Sequence, residues 1–412
     1  MLDQLFPEGV PGYDTAPGVT VRSRLRPEDT PLGTRIGGFV VRPQLETGFG
    51  YDDNVLGGSA PQGSWLVRTR PSLAFGSDWS RHAVGGFVSL DDTRYLDTPS
   101  QSRTDDTVSL GGALDIGRDR LTLAAAHLDQ HEGRNQIDAL PSDRPVFFTL
   151  DDARVTYTAT FTRWTLTPTV EVSRWQYQGT TIFGQPASQA YRDRTVVQGG
   201  MTLGYQLAPL RSLLLVTRAI GQGYPHTPTG QASLNSVGYQ MLVGLDYDND
   251  AVWRYRLLVG GEMRQFAAFP TRNAFIAEAD VAWMPTGMTT LHATLARSIE
   301  DAAQEGVAGF TYTSARLTID HEYLRDLLLT ASVGVQQAAY LQGGQQDGYS
   351  FGVGATWLVN RSVRLSATYD LTSFGAGTGV GTGTVAGAGS AASPMTGAST
   401  RSLALLMLRL GL

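Results

Sequence analysis

The strongest constraint on this chain is a period of two, held over nearly its whole length. In Phe39 to Val55, "FVVRPQLETGFGYDDNV", Val41, Leu45, Thr47, Phe49 and Tyr51 fall on one side, with Arg42, Gln44, Glu46, Gly48, Gly50 and Asp52 on the other. Successive strand residues point to opposite faces, so this is a strand with one apolar face, not a helix. The pattern recurs in "WLVRTRPSLAF", "VTYTATF", "VGYQMLVGLDY", "WRYRLLVGGEM", "FIAEADVAW", "SFGVGATW" and "VRLSATYDL". The segments run to roughly 12–16 residues, longer than an ordinary soluble strand and long enough to cross a bilayer at a tilt.

Tight connections occur at "GSDWSR", "IGRDRL", "FTRWT", "QLAPLRS", "YDNDAVW", "MPTGM", "EYLRDL" and "LVNRS". Longer polar or Gly/Pro-rich ones lie between them, as at 96–104, 131–147, 178–191 and 222–235. Strict alternation of short and long is the asymmetry of an outer-membrane barrel, with short periplasmic turns and longer external loops. Counting hairpins from a first strand at about 38–54 to a last at about 401–412 predicts an all-β, up-and-down antiparallel transmembrane barrel of about 18 strands. Trp79, Trp164, Trp253, Trp283 and Trp357 stand beside short turns, and Trp65 and Trp175 beside long ones. Amphipathic rings collect at the two headgroup levels, so all seven are expected there.

Two segments fall outside the barrel, which is taken to span 38–412. Residues 1–37 are rich in Pro, Gly and charge and should form a periplasmic arm or a plug; residues 373–400 are low-complexity Gly/Ala/Thr/Ser and should form an external loop. No run reaches the apolar length of a spanning helix, and the first residues show no basic and apolar leader. With net charge −6 and pI about 5.5 there is no basic footprint for nucleic acid. Absence of Cys rules out disulfides and is compatible with an oxidising compartment.

If the apolar sets face lipid, the opposite sets line a lumen. These include Arg42, Glu46, Arg68, Arg70, Asp115, Arg154, Arg163, Glu171, Arg194, Arg254, Arg256, Glu262, Arg264, Glu278, Asp280, Arg316, Asp320, Arg364 and Asp370. An ionised group near the midplane of the lipid face costs about 2–4 kcal/mol for Arg, which forces such residues inward. The excess of Arg suits anionic or hydroxyl-rich solutes; alternatively, these Arg and acidic side chains pair across strands and hold the barrel round. Asp52, Asp53 and Asn54 are expected at the external rim, where the first strand leaves the bilayer.

Catalytic constellations are thin. "HLDQHEGRNQ" holds His127, His131 and Glu132, but period two sets Glu132 opposite the histidines, and a polar rim accounts for them better than a metal. "LDYDND", with Asp246, Asp248, Asn249 and Asp250, lacks the glycine and distal glutamate of an EF-hand and reads as a tight turn. There is no G-x-S-x-G, P-loop or dinucleotide fingerprint, so neither an enzyme nor a cofactor is expected.

The runs "VVRPQLETGFGYDDNVLG", "RTRPSLAFGSDWSRHAVGGFVSLDDTRYLD" and "DDTVSLGGALDIGRDRLTLAAAHLDQHEGR" resemble the N-terminal half of the putative beta-barrel porin type 2 family. Motif-level resemblance covers about residues 38–135. It implies an outer-membrane channel of a Gram-negative bacterium, often associated with exopolysaccharide secretion beside a periplasmic polysaccharide-export protein. The expected function is therefore polysaccharide transport across the outer membrane. The alternatives are a diffusion porin for small anionic or sugar solutes and, further off, an outer-membrane hydrolase or structural barrel.

Overall fold

The computed structural model describes residues 9–13, 20–24, 26, 28–248, 252–376 and 398–412. Eighteen long strands form one antiparallel sheet closed on itself, as the alternation predicts. The first six are β1 (Phe39–Asp52), β2 (Ser64–Ser77), β3 (Ala83–Tyr95), β4 (Arg103–Ile116), β5 (Asp119–Glu132) and β6 (Val146–Thr160). Next come β7 (Trp164–Tyr177), β8 (Arg194–Ala208), β9 (Arg211–Gly223), β10 (Ser236–Asp248), β11 (Trp253–Phe266) and β12 (Arg272–Thr286). The last six are β13 (Thr289–Glu300), β14 (Phe310–Leu324), β15 (Leu327–Tyr340), β16 (Gln345–Leu358), β17 (Val363–Phe374) and β18 (Ser399–Gly411). Each pairs with its neighbours in sequence, and β1 closes against β18. Closure leaves no open sheet edge to be satisfied by lipid, which can offer no hydrogen bonds.

One phase of each strand carries exposed apolar side chains, among them Leu45, Phe49, Val88, Leu110, Leu123, Val170, Met241, Val259 and Phe351. In a soluble protein this surface would be an aggregation site; around a closed barrel it is a lipid-facing belt. Trp253 stacks on Trp283 with ring centroids 5.3 Å apart, and Trp164 leans on Tyr205 at 4.6 Å, both beside short turns. At the other end Tyr51 and Trp65 meet edge to face at 5.1 Å.

Trp175 departs from its expected headgroup position. It lies on the inner face of β7, stacked on Phe148 at 5.2 Å and capped by the Arg194 guanidinium at 4.6 Å. It shares its phase with the buried Glu171 and Ser173, so packing inside the barrel outweighs the interfacial preference of the ring.

Strict alternation of loop lengths does not hold either. The loop 341–344, between β15 and β16, is as short as the turn 359–362 between β16 and β17. Gly343 and Gly344, at φ 104° and 93°, take the left-handed backbone that so tight a hairpin needs.

The seam between β1 and β18 is short, running from Gln44↔Gly411 to Asp52↔Leu403. Phe39 to Val41 pair instead with the three-residue strand Thr34–Ile36. Inside the seam Met407 and Leu405 lie opposite Gly48 and Gly50. A Cβ on Gly48 would run into the Leu406 carbonyl and the Met407 side chain, so the bare glycine lets the two strands close.

Candidate functional site: the barrel interior and its mouths

The inward phase holds nearly every ionic residue picked out by alternation, and most of these are in pairs. Arg68 donates to Asp91 at 2.8 Å, and Arg70 reaches the same carboxylate at 2.6 Å while lying 3.7 Å from Glu46. Arg154 pairs with Glu171 at 3.0 Å, Arg218 with Glu278 at 2.5 Å, and Arg264 and Arg194 converge on Asp301. Glu262 accepts from Gln240 at 3.0 Å, and His292 bonds Asp280 at 3.0 Å. Arg256 stands opposite Asp280 in the β11–β12 ladder, with Arg254 two residues nearer the turn. Arg42 and Arg316 stay exposed on the inward phase. Arg163 is different: it lies in the exposed turn between β6 and β7, because β6 ends at Thr160. Much of the lining charge is therefore held in ion pairs within the wall.

Among the described residues, the chain before β1 reaches the inner wall at two places. Val10 and Tyr13 pack among Ala124, Ala126, Leu128, Phe148 and Leu150, on the inner faces of β5 and β6. Tyr13 Oη donates to Asp152 Oδ1 at 2.8 Å, and the Pro11 carbonyl approaches Gly111, where a Cβ would obstruct it. Farther along, Val21 packs on Leu328 and Leu358, and its N–H donates to Thr290 Oγ1 at 3.0 Å. Arg24 and Arg26 both pair with Glu322, Arg364 donates to the Asp29 carbonyl at 3.0 Å, and Gly33 N–H to the Leu412 carbonyl at 3.0 Å. These last contacts follow the short-turn mouth along β13–β18, away from the site of Tyr13 on β5 and β6.

The opposite mouth is spanned by the loop 133–145. It leaves β5, and Asn135 donates to the Asn54 and Val55 carbonyls at 3.3 Å. Ile137 then enters an apolar cluster with Ala302, Val307, Phe310, Ala338, Tyr340 and Phe374, on the far side of the barrel. Asp138 is buried beside it. Its N–H donates to Gln346 Oε1 at 2.9 Å, while its carboxylate accepts from Ala303 N–H at 2.6 Å and Tyr340 Oη at 2.7 Å. Burial pushes the Asp138 carboxyl up to about 6, against the lowering effect of those two donors and of Arg192. The loop returns through Asp143, which pairs with Thr181 and Gly184, to β6.

The "YDDN" cluster is not a solvated rim. Asp52 and Asn54 have no exposed surface. Asp52 binds Arg401 at 2.6 Å and accepts from Tyr95 Oη at 3.0 Å; Asp53 Oδ1 accepts from Ser402 N–H at 2.6 Å, and Asn54 donates to the Thr400 carbonyl at 2.9 Å. They tie the outer end of β1 to β18 because the 53–63 loop folds over them and excludes water. His127, His131 and Glu132 diverge to separate partners, Asp151, Asp105 and Arg192. In "LDYDND", Asn249 and Asp250 lie outside the described residues, as does most of the segment 373–400.

A closed sheet, apolar outside and polar within, with aromatic residues at both ends, defines a transmembrane β-barrel of the porin class. The chain matches the family described as Putative beta-barrel porin 2 over residues 26–380 and belongs to it; it is an outer-membrane barrel. Among solved structures it is similar to the ferric-catecholate import receptor Fiu of E. coli K12, with 11% identity over 90% of this chain and 81% of that one, TM-score 0.47. It is also similar to Pseudomonas aeruginosa OccK2 in complex with glucuronate, with 13% identity, 90% and 98% covered, TM-score 0.47. P. aeruginosa OpdK gives 10% identity, 90% and 98% covered, TM-score 0.46. No curated protein matches.

Proposed function

We propose that the barrel is a conduit for a hydrophilic polymer leaving the cell, an exopolysaccharide handed over by a periplasmic polysaccharide-export partner, with residues 1–37 as its plug. The supporting observation is that the segment before β1 contacts the inner wall: Tyr13 sits against Asp152, and Val21 against Leu328 and Leu358 on the far side. A diffusion porin must stand open to do its work. A conduit wide enough for a polymer must be shut when idle, or the barrel leaks. The paired, hydroxyl-rich wall fits the same use, since a moving chain needs many weak, exchangeable hydrogen bonds and no single tight site. Arg42, Arg256, Arg316 and Asp370 are lining groups open to it.

Deleting the gene and measuring secreted polymer beside uptake of small sugars tests this. Loss of polymer secretion with normal uptake is expected. Normal secretion with impaired uptake would establish a diffusion porin instead.

A further inference from the structure

We infer that the loop 133–145 is a displaceable lid on the external mouth, held shut by Asp138 as its latch. The inference rests on the channel reading only in taking the mouth to be a passage; the identity of the solute does not enter.

Three observations converge on the latch. The first is reach. Both ends of the loop are anchored on β5 and β6, whereas its tip contacts β14 to β17, about half the circumference away. A segment of this length touches the far wall only by crossing the opening.

The second is the backbone. Asp138 takes φ 58°, a left-handed conformation unusual for a residue with a side chain. Such a conformation persists only where the surroundings over-determine it, and here they do: its N–H and both carboxylate oxygens are bound, each to a different element. Releasing these bonds frees the strain together with the tip, which favours two discrete states over gradual loosening.

The third is how the tip is held. Beyond the latch it is secured by Ile137 against Ala302, Val307, Ala338 and Tyr340, a patch that is buried while the lid is down. The loop 301–309 contributes both Ala302 and the Ala303 N–H, and the Ala303 carbonyl also accepts from Tyr191 Oη at 2.5 Å. The lid therefore closes onto a prepared seat.

The charged and titratable groups facing Asp138 are Arg192 of the 178–193 loop, Glu132 at the end of β5, Tyr340 of β15, and Tyr191 with Glu305 beyond it. Arg192 is held by Glu132, so it offsets the latch's burial only in part. The carboxyl is accordingly raised when the lid is down and ordinary when the lid is up. A raised carboxyl stabilises the closed state fully below the ordinary value, and that stabilisation is lost as pH rises through the raised one. Going from pH 7 to pH 5 should multiply the closed-to-open ratio about tenfold.

The chain has no native cysteine, so a single introduced thiol reports the lid in intact cells. Ala338→Cys lies under the tip, and Gln342→Cys on the exposed 341–344 loop corrects for the reagent's own pH dependence. The probe is a membrane-impermeant maleimide added from outside. At pH 7 the corrected rate at Ala338→Cys should be well below that at Gln342→Cys and should fall about tenfold at pH 5. Adding Asp138→Ala should raise it at least about tenfold and abolish the pH response, for loss of a buried hydrogen-bonded carboxylate. Asp138→Asn, which keeps the shape and two of the bonds, should label slowly at both pH values. Equal labelling at the two cysteine positions, or rates unmoved by pH and by both substitutions, overturns the lid. If Asp138→Ala does not assemble, the pH series and Asp138→Asn decide the matter alone. Failure here leaves the gene-deletion result untouched, and failure there leaves this one untouched.

Discussion

Asp52 is a carboxyl side chain with no exposed surface, placed where the first and last strands must stay together. A buried charge is tolerated only when paired and hydrogen-bonded, and Arg401, Tyr95 Oη and the Asn54 N–H supply this. Removing one member should therefore cost far more than the pair itself contributes. Arg401→Ala is expected to destabilise the barrel by about 3–5 kcal/mol, measured as a lower urea midpoint in liposomes, because Asp52 is left buried without its counter-charge. Arg94→Ala, which breaks the exposed pair with Asp92 on the outer face, should cost less than about 1 kcal/mol. Equal midpoints for the two variants would show that the clasp carries no special weight.

Strands were legible in the sequence because each has one face in lipid and one away from it, a contrast that writes itself as period two. The same contrast fixed the phase of Arg68, Arg154, Glu171 and Glu262. It fails on β18, where Leu403, Leu405 and Met407 point inward between Arg401 and Arg409, so both faces are apolar and the period is silent. It was legible for Trp175, whose phase follows Glu171 and Ser173, but the general preference of Trp for the headgroup level pointed the other way. Contacts made by loops were not legible at all: the burial of Asp52 and the reach of Asp138 depend on where distant chain returns, and no local pattern records that. The orientation of β7 can be checked directly. In chains keeping a single tryptophan, brominated lipid should quench Trp65, Trp79 and Trp253 and leave Trp175 nearly unquenched; strong quenching of Trp175 would reverse its assignment.

Taken whole, the barrel is a closed cylinder of strands whose inner wall is met by Val10, Tyr13 and Val21 of the chain before β1. Deleting residues 1–31 keeps Thr34–Ile36 to cover the free part of β1, so the sheet should still close. In planar bilayers this variant should conduct severalfold more than the full chain; equal conductance would mean that residues 1–37 do not plug the lumen. A cylinder of strands is stiff along its axis but soft to flattening, because flattening only bends the sheet. The loop 133–145 ties the wall at β5 and β6 to the wall at β15 and β16 and acts as a spoke. Flattening the cylinder along that diameter compresses the spoke, and stretching it pulls directly on the bonds of Asp138. Tension and lateral pressure in the surrounding bilayer thus become mechanical inputs at the mouth, and the roundness of the barrel and the closure of its opening depend on the same few atoms.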